Sequence, residues 1–312
     1  MDPRTAATDI TDGVPHEHVE VATAKPYVVS LDIVPLLTRW ALVKKFSMPN
    51  PDFFGMLRKN MHAELGTIFP VVEIVEEGDI RSAILRMTSS LGLPVISLDY
   101  AYCPIGVPLN VTRAVHTDMT DAGVTHRGKS FSIEKQVRDI ASQLQGDVAL
   151  VDDVIFSGEM TTRDVIPMLR RHGITVRTVV AGVGIRKGVR RIQAEGVDVL
   201  CVREYAEVED EICERDFYPG SPLCGRTVLG TENVGMPYIR PFGNAQDWAS
   251  IPGTHVDSFS RFCLGQSIEL FTEIENISGK TVRMRDLDRG IYSLPTGDQR
   301  FVDELSKACD SF

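Results

Sequence analysis

The sequence predicts an α/β protein with a doubly wound, mostly parallel five-stranded sheet, helices on both of its faces, and added elements at both ends of the chain. Short apolar runs, typical of strands buried on both faces, recur at residues 71–75, 93–98, 148–151, 176–183 and 197–202. Between them lie segments with apolar residues at helical spacing. Strands and helices that alternate in this way are typical of parallel crossover units.

Composition and charge exclude several classes of protein. A hydrophobic content of 43% and a charged content of 24% are typical of a globular protein in water, and a net charge of −10 argues against general binding to nucleic acid or anionic membranes. The chain lacks an apolar stretch of ~20 residues and an apolar signal core, so we expect neither a membrane span nor secretion. Six scattered cysteines without metal-binding spacing indicate reduced thiols, and we expect a cytoplasmic protein.

The chain divides into four segments by composition. Residues 1–26 are polar and are expected to form a loose arm, and residues 27–69 form a helical segment with helices near 31–46 and 52–65. Residues 70–215 hold the alternating strands and helices, and residues 216–312 form an aromatic, loop-rich segment followed by a small α+β appendage.

Within the core segment, local signals mark where elements begin and end. Gly92 and Pro94 end the first helix, Ser132 begins another, and Pro167 should kink or shorten the helix that ends near Gly173. Residues 100–130 have no helical period and are rich in glycine and proline. Because an irregular insertion of this length in a compact domain is usually functional or mobile, we expect it to lie near the site.

The C-terminal segment places aromatic residues among glycines and prolines: Phe217, Tyr218, Tyr238, Phe242 and Trp248. These side chains are expected to pack onto the core or a second subunit, or to stack on a flat acceptor such as a base. Arg226 and Arg240 in the same segment are candidates for binding a phosphate or a carboxylate.

Asp152 and Asp153 end the most apolar strand and are followed by a Ser-Gly turn and a helix. Ligands of open α/β sheets bind beyond the carboxyl ends of the strands. The free amides at a helix start suit a phosphate, and two adjacent carboxylates suit the vicinal hydroxyls of a sugar. The residues alone therefore predict a ribose 5-phosphate ligand.

The stretch Val-Asp-Asp-Val-Ile-Phe-Ser-Gly-Glu-Met-Thr resembles the phosphoribosyl diphosphate (PRPP) motif of the type I phosphoribosyltransferases. The resemblance covers residues 70–205 in the order of their elements. It implies that Asp152 and Asp153 hold the ribose hydroxyls and are the catalytic and metal-binding residues. It also implies a 5-phosphate loop formed by Phe156, Ser157, Gly158, Glu159, Met160 and Thr161.

The same resemblance implies further contacts. The pyrophosphate would be held by the first loop of the core and by the insertion, through Glu77, Gly78, Asp79, Arg81, Arg127 and Lys129. Residues 27–69 are a candidate hood over the site. The expected reaction transfers 5-phosphoribosyl from PRPP to an unidentified acceptor, for which a flat heterocycle is one option, with Mg²⁺ as cofactor. We expect a homodimer that acts on a small molecule without nucleic acid or membrane.

Three alternative functions remain at this point. A PRPP synthetase would need a second copy of the sugar-phosphate fold, which the sequence does not show. A hydrolase or phosphorylase of nucleotide glycosidic bonds would use the same cradle without a pyrophosphate grip, which suits the acidic first loop. A regulator that senses ribose phosphates without turnover is the third. A receiver-type domain is excluded, because its acidic pair belongs on the first strand.

Overall fold

The computed structural model describes residues 24–312, so the predicted N-terminal arm lies outside the described residues as far as residue 23. The strands in chain order are β1 (Tyr27–Ser30), β2 (Val72–Val75), β3 (Val95–Ser97), β4 (Val107–Pro108), β5 (Val111–Val115), β6 (Asp121–His126), β7 (Gly146–Ile155), β8 (Ile174–Ile185), β9 (Asp198–Tyr205), β10 (Asp210–Cys213), β11 (Arg226–Val228), β12 (Val234–Met236) and β13 (Gly290–Ile291). The α-helices are α1 (Ile33–Lys44), α2 (Pro51–Gly66), α3 (Glu77–Leu91), α4 (Ile133–Ala141), α5 (Ile166–Arg171), α6 (Arg186–Gln193), α7 (Ala245–Ala249), α8 (Val256–Ser278) and α9 (Phe301–Cys309).

The main sheet has five parallel strands in the order β4-β3-β7-β8-β9. Helix α3 packs Ile80 and Ile84 on one face of this sheet, and α4, α5 and α6 cover the other. The central strands β7 and β8 are buried on both faces, which explains their continuous apolar runs. The predicted fold class, a mostly parallel five-stranded sheet with helices on both faces, is confirmed.

The membership of the sheets differs from the prediction at one strand. Residues 71–75 were expected in the main sheet, but β2 belongs to a smaller parallel sheet of order β10-β1-β2, and the two-residue strand β4 is the fifth member of the main sheet. Strand β2 is only partly buried, whereas all four residues of β1 are buried. An apolar run reveals a strand, but it does not reveal which strands lie beside it.

The insertion at residues 100–130 is largely ordered as a hairpin. Strands β5 and β6 pair antiparallel, and β5 pairs parallel with β11 from the C-terminal segment. The resulting second sheet has the order β13-β12-β11-β5-β6. This sheet therefore joins the core segment to the last hundred residues of the chain.

Residues 27–69 and 216–312, assigned above to separate segments, share one hydrophobic core. Phe217, Tyr218 and Phe242 are fully buried there, and Phe271 of α8 packs edge-on against Phe301 of α9. The aromatic residues of the C-terminal segment therefore pack inward. Among residues 24–312, none of the helices combines the length and the apolar character that crossing a lipid bilayer requires.

Candidate functional site

A cavity of about 280 Å³ lies between the three sheets. Its acidic side is formed by Asp152 and Asp153 of β7 and by Asp210 and Glu211 of β10. Its basic side is formed by arginine side chains of the second sheet and of the residue that directly follows β6. The acidic pair that the sequence singles out therefore lines this cavity.

The two carboxyl groups of the pair have different partners. The Oδ2 atom of Asp153 accepts a hydrogen bond from Nη2 of Arg215 at 2.5 Å and lies 3.3 Å from the Sγ atom of Cys213. Oδ1 of Asp152 accepts the amide of Asp153 at 3.0 Å, and the residue is 4% exposed. Asp153 is thus ion-paired, whereas Asp152 is buried beside it and has no cationic partner in the described part of the chain.

These partners separate the pKa values of the pair. Burial raises the pKa of Asp152 well above its ordinary value, and the neighbouring Asp153 raises it further. Burial also acts to raise the pKa of Asp153, but Arg215 and a hydrogen bond with Asp152 outweigh it, so that this pKa is lowered. At neutral pH Asp153 carries the negative charge, and Asp152 retains its proton more readily.

Arg215 is the centre of a buried ion network that sequence reasoning missed. Its Nη1 atom bonds Asp32 and, at 3.0 Å, Asp99, while Nη2 holds Asp153. A sequence signal was present, because the tripeptide Ser-Leu-Asp ends both contributing strand regions, at residues 30–32 and 97–99. Acidic residues after parallel strands converge on one edge of a sheet.

The predicted phosphate loop turns sharply at Gly158, whose φ of 69° favours glycine. The loop rests on α6, since a Cβ atom on Gly158 would lie 2.7 Å from the carbonyl oxygen of Gly188. The amide of Thr162 donates to the Gly158 carbonyl at 3.0 Å, and a π-helical stretch, Met160–Val165, leads from the loop into α5. Pro167 then lies in the first turn of α5, where proline is tolerated.

The carboxylate of Glu159 does not leave the loop negatively charged. Its Oε1 atom pairs with Nη1 of Arg191 at 2.7 Å, and its Oε2 atom lies 3.7 Å from Arg163. The same Arg191 donates to the carbonyl of Ser157 at 2.9 Å. The charge of Glu159 is therefore offset within the protein, and Arg191 fixes the loop.

The cavity contacts only part of this loop. Phe156 and Met160 line it, but Ser157, Gly158, Glu159 and Thr161 do not, and Thr161 is buried. A phosphate at the loop and a sugar at the acidic pair would therefore occupy neighbouring spaces.

The structure brings only one of the predicted pyrophosphate residues to the cavity. Arg127 lines it, whereas Lys129 lies in a separate depression beside Thr231. Glu77 bonds Arg58, which also holds Glu214.

The remaining three, Gly78, Asp79 and Arg81, lie in the first turns of α3 and do not line the cavity. The reason is the placement of β2, which leads into α3 from the smaller sheet and not from the main sheet.

Arg226 lies in the cavity, whereas Arg240 pairs with Asp257 outside it at 2.9 Å. The guanidinium carbon of Arg226 lies 4.7 Å from the ring centre of Trp248 and 5.5 Å from that of Tyr238. These rings therefore hold an arginine, although the sequence also allowed them to stack on a base. Arg113, which the sequence analysis did not select, lines the same wall.

Glu211 is a further cavity residue that the sequence did not reveal. It is 6% exposed, and one of its oxygens accepts the hydroxyl of Ser30 at 2.5 Å. Burial raises its pKa to about 8, so that most of it is protonated at neutral pH.

The acidic residues fit Mg²⁺ only in combination with a ligand. Within the described range, no group of three or more His, Cys, Asp or Glu side chains is arranged to hold a metal ion. Mg²⁺ is commonly held by one or two carboxylates together with phosphate oxygens of a substrate. Asp152 and Asp153 supply two such carboxyl groups, so a phosphorylated ligand would have to complete the site.

No protein-family model and no curated protein matches this chain. Similar solved structures include orotate phosphoribosyltransferase from Aeropyrum pernix, with 17% identity over 40% of this chain and 69% of that one and a TM-score of 0.26. Mycobacterium tuberculosis H37Rv orotate phosphoribosyltransferase in complex with PRPP has 18% identity over 41% of this chain and 72% of that one, with a TM-score of 0.25. Adenine phosphoribosyltransferase from Rhodothermus marinus has 16% identity over 40% of this chain and 77% of that one, with a TM-score of 0.27. A function for this chain has to be inferred from the cavity itself.

Proposed function

We propose that this protein is a phosphoribosyltransferase-like enzyme that transfers 5-phosphoribosyl from PRPP to a small acceptor, with Mg²⁺ as cofactor. One observation carries the proposal: the adjacent residues Asp152 and Asp153, near the carboxyl end of a central parallel strand, line a cavity directly before a glycine turn and a helix start. This arrangement suits a ligand with hydroxyl groups at one end and a phosphate at the other.

Each carboxyl group has a distinct role in this proposal. Asp153, held ionised by Arg215, accepts hydrogen bonds from ribose hydroxyls. Asp152, whose pKa is raised by burial and by Asp153, holds a proton more readily than Asp153, and in its ionised form it would be the second carboxylate available to Mg²⁺. The loop at residues 156–161 takes the 5-phosphate through amides at the start of the helix, and Glu159 is kept neutralised by Arg191.

The proposed reaction is a displacement at the anomeric carbon. The bond from C1′ to the pyrophosphate oxygen breaks as the acceptor forms its bond to C1′, and positive charge develops on the ribose ring as in glycoside hydrolysis. The ionised carboxylate of Asp153, which lines the cavity, would stabilise that charge. When bound, Mg²⁺ would supply charge neutralisation for the leaving pyrophosphate.

Calorimetric titration of PRPP in the presence of Mg²⁺ tests the proposal. We expect saturable binding by the full chain, and at least tenfold weaker binding by the double variant Asp152→Asn with Asp153→Asn, since charge-assisted hydrogen bonds contribute about 1.5–3 kcal/mol each. Asp147→Asn, at the opposite end of the same strand and half exposed, is the matched control. Equal binding by the double variant and the control would contradict the proposal.

A second candidate is a hydrolase or phosphorylase of nucleotide glycosidic bonds. It is favoured by the position of Glu77, which is engaged with Arg58 away from the cavity, and by Glu211, a largely protonated carboxyl group that lines the cavity and could give its proton to a leaving base. Binding of nucleotides but not of PRPP would support it. Binding of PRPP without turnover across a panel of acceptors would instead support a ribose-phosphate-sensing regulator.

A further inference from the structure

The second sheet presents arginine side chains along one wall of the cavity. Arg113 lies on β5, Arg127 directly follows β6, and Arg226 begins β11, and all three line the cavity. Within the described part of the chain, none of the three forms an ion pair with a carboxylate. By contrast, Arg215 on the acidic side is bonded to three carboxylates.

The strand register places two of these arginines side by side. Strands β5 and β11 are parallel, with Thr227 opposite Ala114 and Val228 opposite Val115. The residues one position earlier, Arg226 and Arg113, are therefore neighbours across the two strands. Like charges in adjacent cross-strand positions repel each other, so this arrangement is unfavourable unless an anion lies between them.

Arg226 is held in place by aromatic rings, and Arg127 has a hydrogen-bond donor without a partner among the described residues. The guanidinium of Arg226 packs on the rings of Trp248 and Tyr238, which limits its freedom. The Nη1 atom of Arg127 is buried and has no hydrogen-bond partner among the described residues. Because a buried donor without a partner is costly, a ligand acceptor that reached this atom would remove that cost.

A fourth arginine adds positive charge behind the wall. Arg289 is 6% exposed, and its Nη atoms donate to carbonyl oxygens of Cys224, Gly225 and Val234 and to the hydroxyl of Thr227. All four partners are neutral, so no direct contact within residues 24–312 offsets its charge. Gly225 itself lines the cavity.

The carboxylates near this wall are already bonded within the protein. Asp216 accepts the amide of Gly225 at 2.7 Å, and Asp210 accepts the amide of Glu211 at 2.9 Å. Within the described residues, neither carboxylate forms an ion pair with Arg113, Arg127 or Arg226, so the donors of these arginines stay available to a ligand.

We propose that Arg113, Arg127 and Arg226 form a binding subsite for a diphosphate group, separate from the loop at residues 156–161. Two adjoining phosphoryl groups match the number of arginine donors and their arrangement on neighbouring strands better than a single oxyanion does. The inference deepens the proposed function and rests on it for the identity of the sugar. In this proposal the three arginines, and not residues 77–81, bind the pyrophosphate group.

Titration of inorganic pyrophosphate with a metal chelator present tests the subsite without sugar or Mg²⁺. We expect wild-type protein to bind pyrophosphate at least tenfold more tightly than inorganic phosphate. Arg113→Gln, Arg127→Gln and Arg226→Gln should each weaken pyrophosphate binding about tenfold or more. Arg226→Lys keeps the positive charge but loses the planar guanidinium group, which can donate two parallel hydrogen bonds. It should weaken pyrophosphate binding to an intermediate extent.

Arg240→Gln is the matched control, because Arg240 is in the same segment but pairs with Asp257 outside the cavity. Circular dichroism would verify that each variant is folded. Pyrophosphate binding that is equal in the cavity variants and the control overturns the subsite, as does equal affinity for phosphate and pyrophosphate.

The two proposals fail in different ways. If the arginine variants lose pyrophosphate binding and the wild-type protein does not bind PRPP, the subsite proposal stands and the transferase proposal is overturned. PRPP binding that depends on Asp152 and Asp153 but not on the arginines would retain the transferase and overturn the subsite.

Discussion

A single buried arginine sets the charge of the candidate site. Arg215 follows β10 of the small sheet and bonds Asp99 and Asp153, which follow or end strands of the main sheet, as well as Asp32 after β1. Burial, only partly opposed by Arg215, raises the pKa of Asp32 well above its ordinary value. The network thus joins the two parallel sheets and keeps Asp153 ionised.

Removing this arginine should destabilise the protein strongly. Arg215→Met leaves buried carboxyl groups without their cation, and we expect the free energy of unfolding to fall by about 3–5 kcal/mol, measured by urea denaturation. Arg285→Met is the control, since Arg285 pairs with Asp298 on the surface, where both side chains are more than half exposed. It should change stability by less than about 1 kcal/mol. Equal effects of the two substitutions would show that the network contributes little.

Glu211 should make stability depend on pH. Its ordinary pKa is 4.5, and burial raises it to about 8 in the folded protein. As pH rises from 4.5, the unfolded chain releases this proton while the folded protein retains it, so Glu211 lowers the free energy of unfolding progressively until about pH 8. A shift of this size corresponds to about 3–5 kcal/mol.

We therefore expect the stability of Glu211→Gln relative to wild type to increase between pH 5 and about pH 8. Chemical denaturation at several pH values measures this difference. The exposed neighbour Glu209 provides the control substitution Glu209→Gln, which should follow the wild-type curve. A constant difference between Glu211→Gln and wild type across this range would argue against a protonated Glu211.

At the scale of elements, the phosphate loop depends on close contact with α6. Gly188 lies so near the loop that a Cβ atom on it would be 2.4 Å from the carbonyl oxygen of Phe156. Two glycines facing each other allow the backbones of loop and helix to touch. The loop therefore has its shape because of a tertiary contact as well as its own sequence.

Gly158→Ala tests this contact. Gly158 has positive φ and faces the Gly188 carbonyl, whereas Gly196 at the end of α6 has a φ of 76° with no atom near its would-be Cβ. Gly196→Ala should cost about 1 kcal/mol from backbone strain alone. Gly158→Ala should cost at least about 2 kcal/mol, because the clash adds to the strain. Thermal denaturation compares the two, and equal costs would mean that the loop moves freely away from α6.

At the scale of the whole molecule, the segments on either side of the core are part of its support. Strand β1 lies between β2 and β10, and Asp32 beside it binds Arg215. Helix α8 belongs to the same hydrophobic core as α1 and α2. The candidate site is thus built from residues that are far apart in the chain.

A chain of residues 70–215 alone should not reach the native state. It lacks β1, which leaves β2 and β10 without their common neighbour, and it lacks β11, which supplies Arg226. We expect weak near-ultraviolet circular dichroism and no cooperative thermal transition. The full chain is the reference, and a cooperative transition in the shorter chain would show that the core segment folds independently.

The sequence predicts the strands and the turn that have strong local signals, but it does not reveal the strands whose local signals are weak. Strands β7 and β8 and the turn at Gly158 follow from apolar runs and a glycine. Strand β1 lies in a segment for which the sequence predicts helices, and β5 and β6 lie in one without a regular period in its sequence. Strands of four to six residues carry little periodicity, so their existence depends on pairing with partners elsewhere.

The acidic pair and the loop after it are local features, because a buried strand, two carboxylates and a glycine turn are consecutive in the chain. The sequence could therefore point to a sugar phosphate. The partners of that pair are nonlocal: Arg215 reaches Asp153 across 62 positions, and the register of β5 with β11 places Arg113 beside Arg226. Such contacts arise when distant segments bury their apolar faces together, and neither spacing nor composition within one segment reveals them.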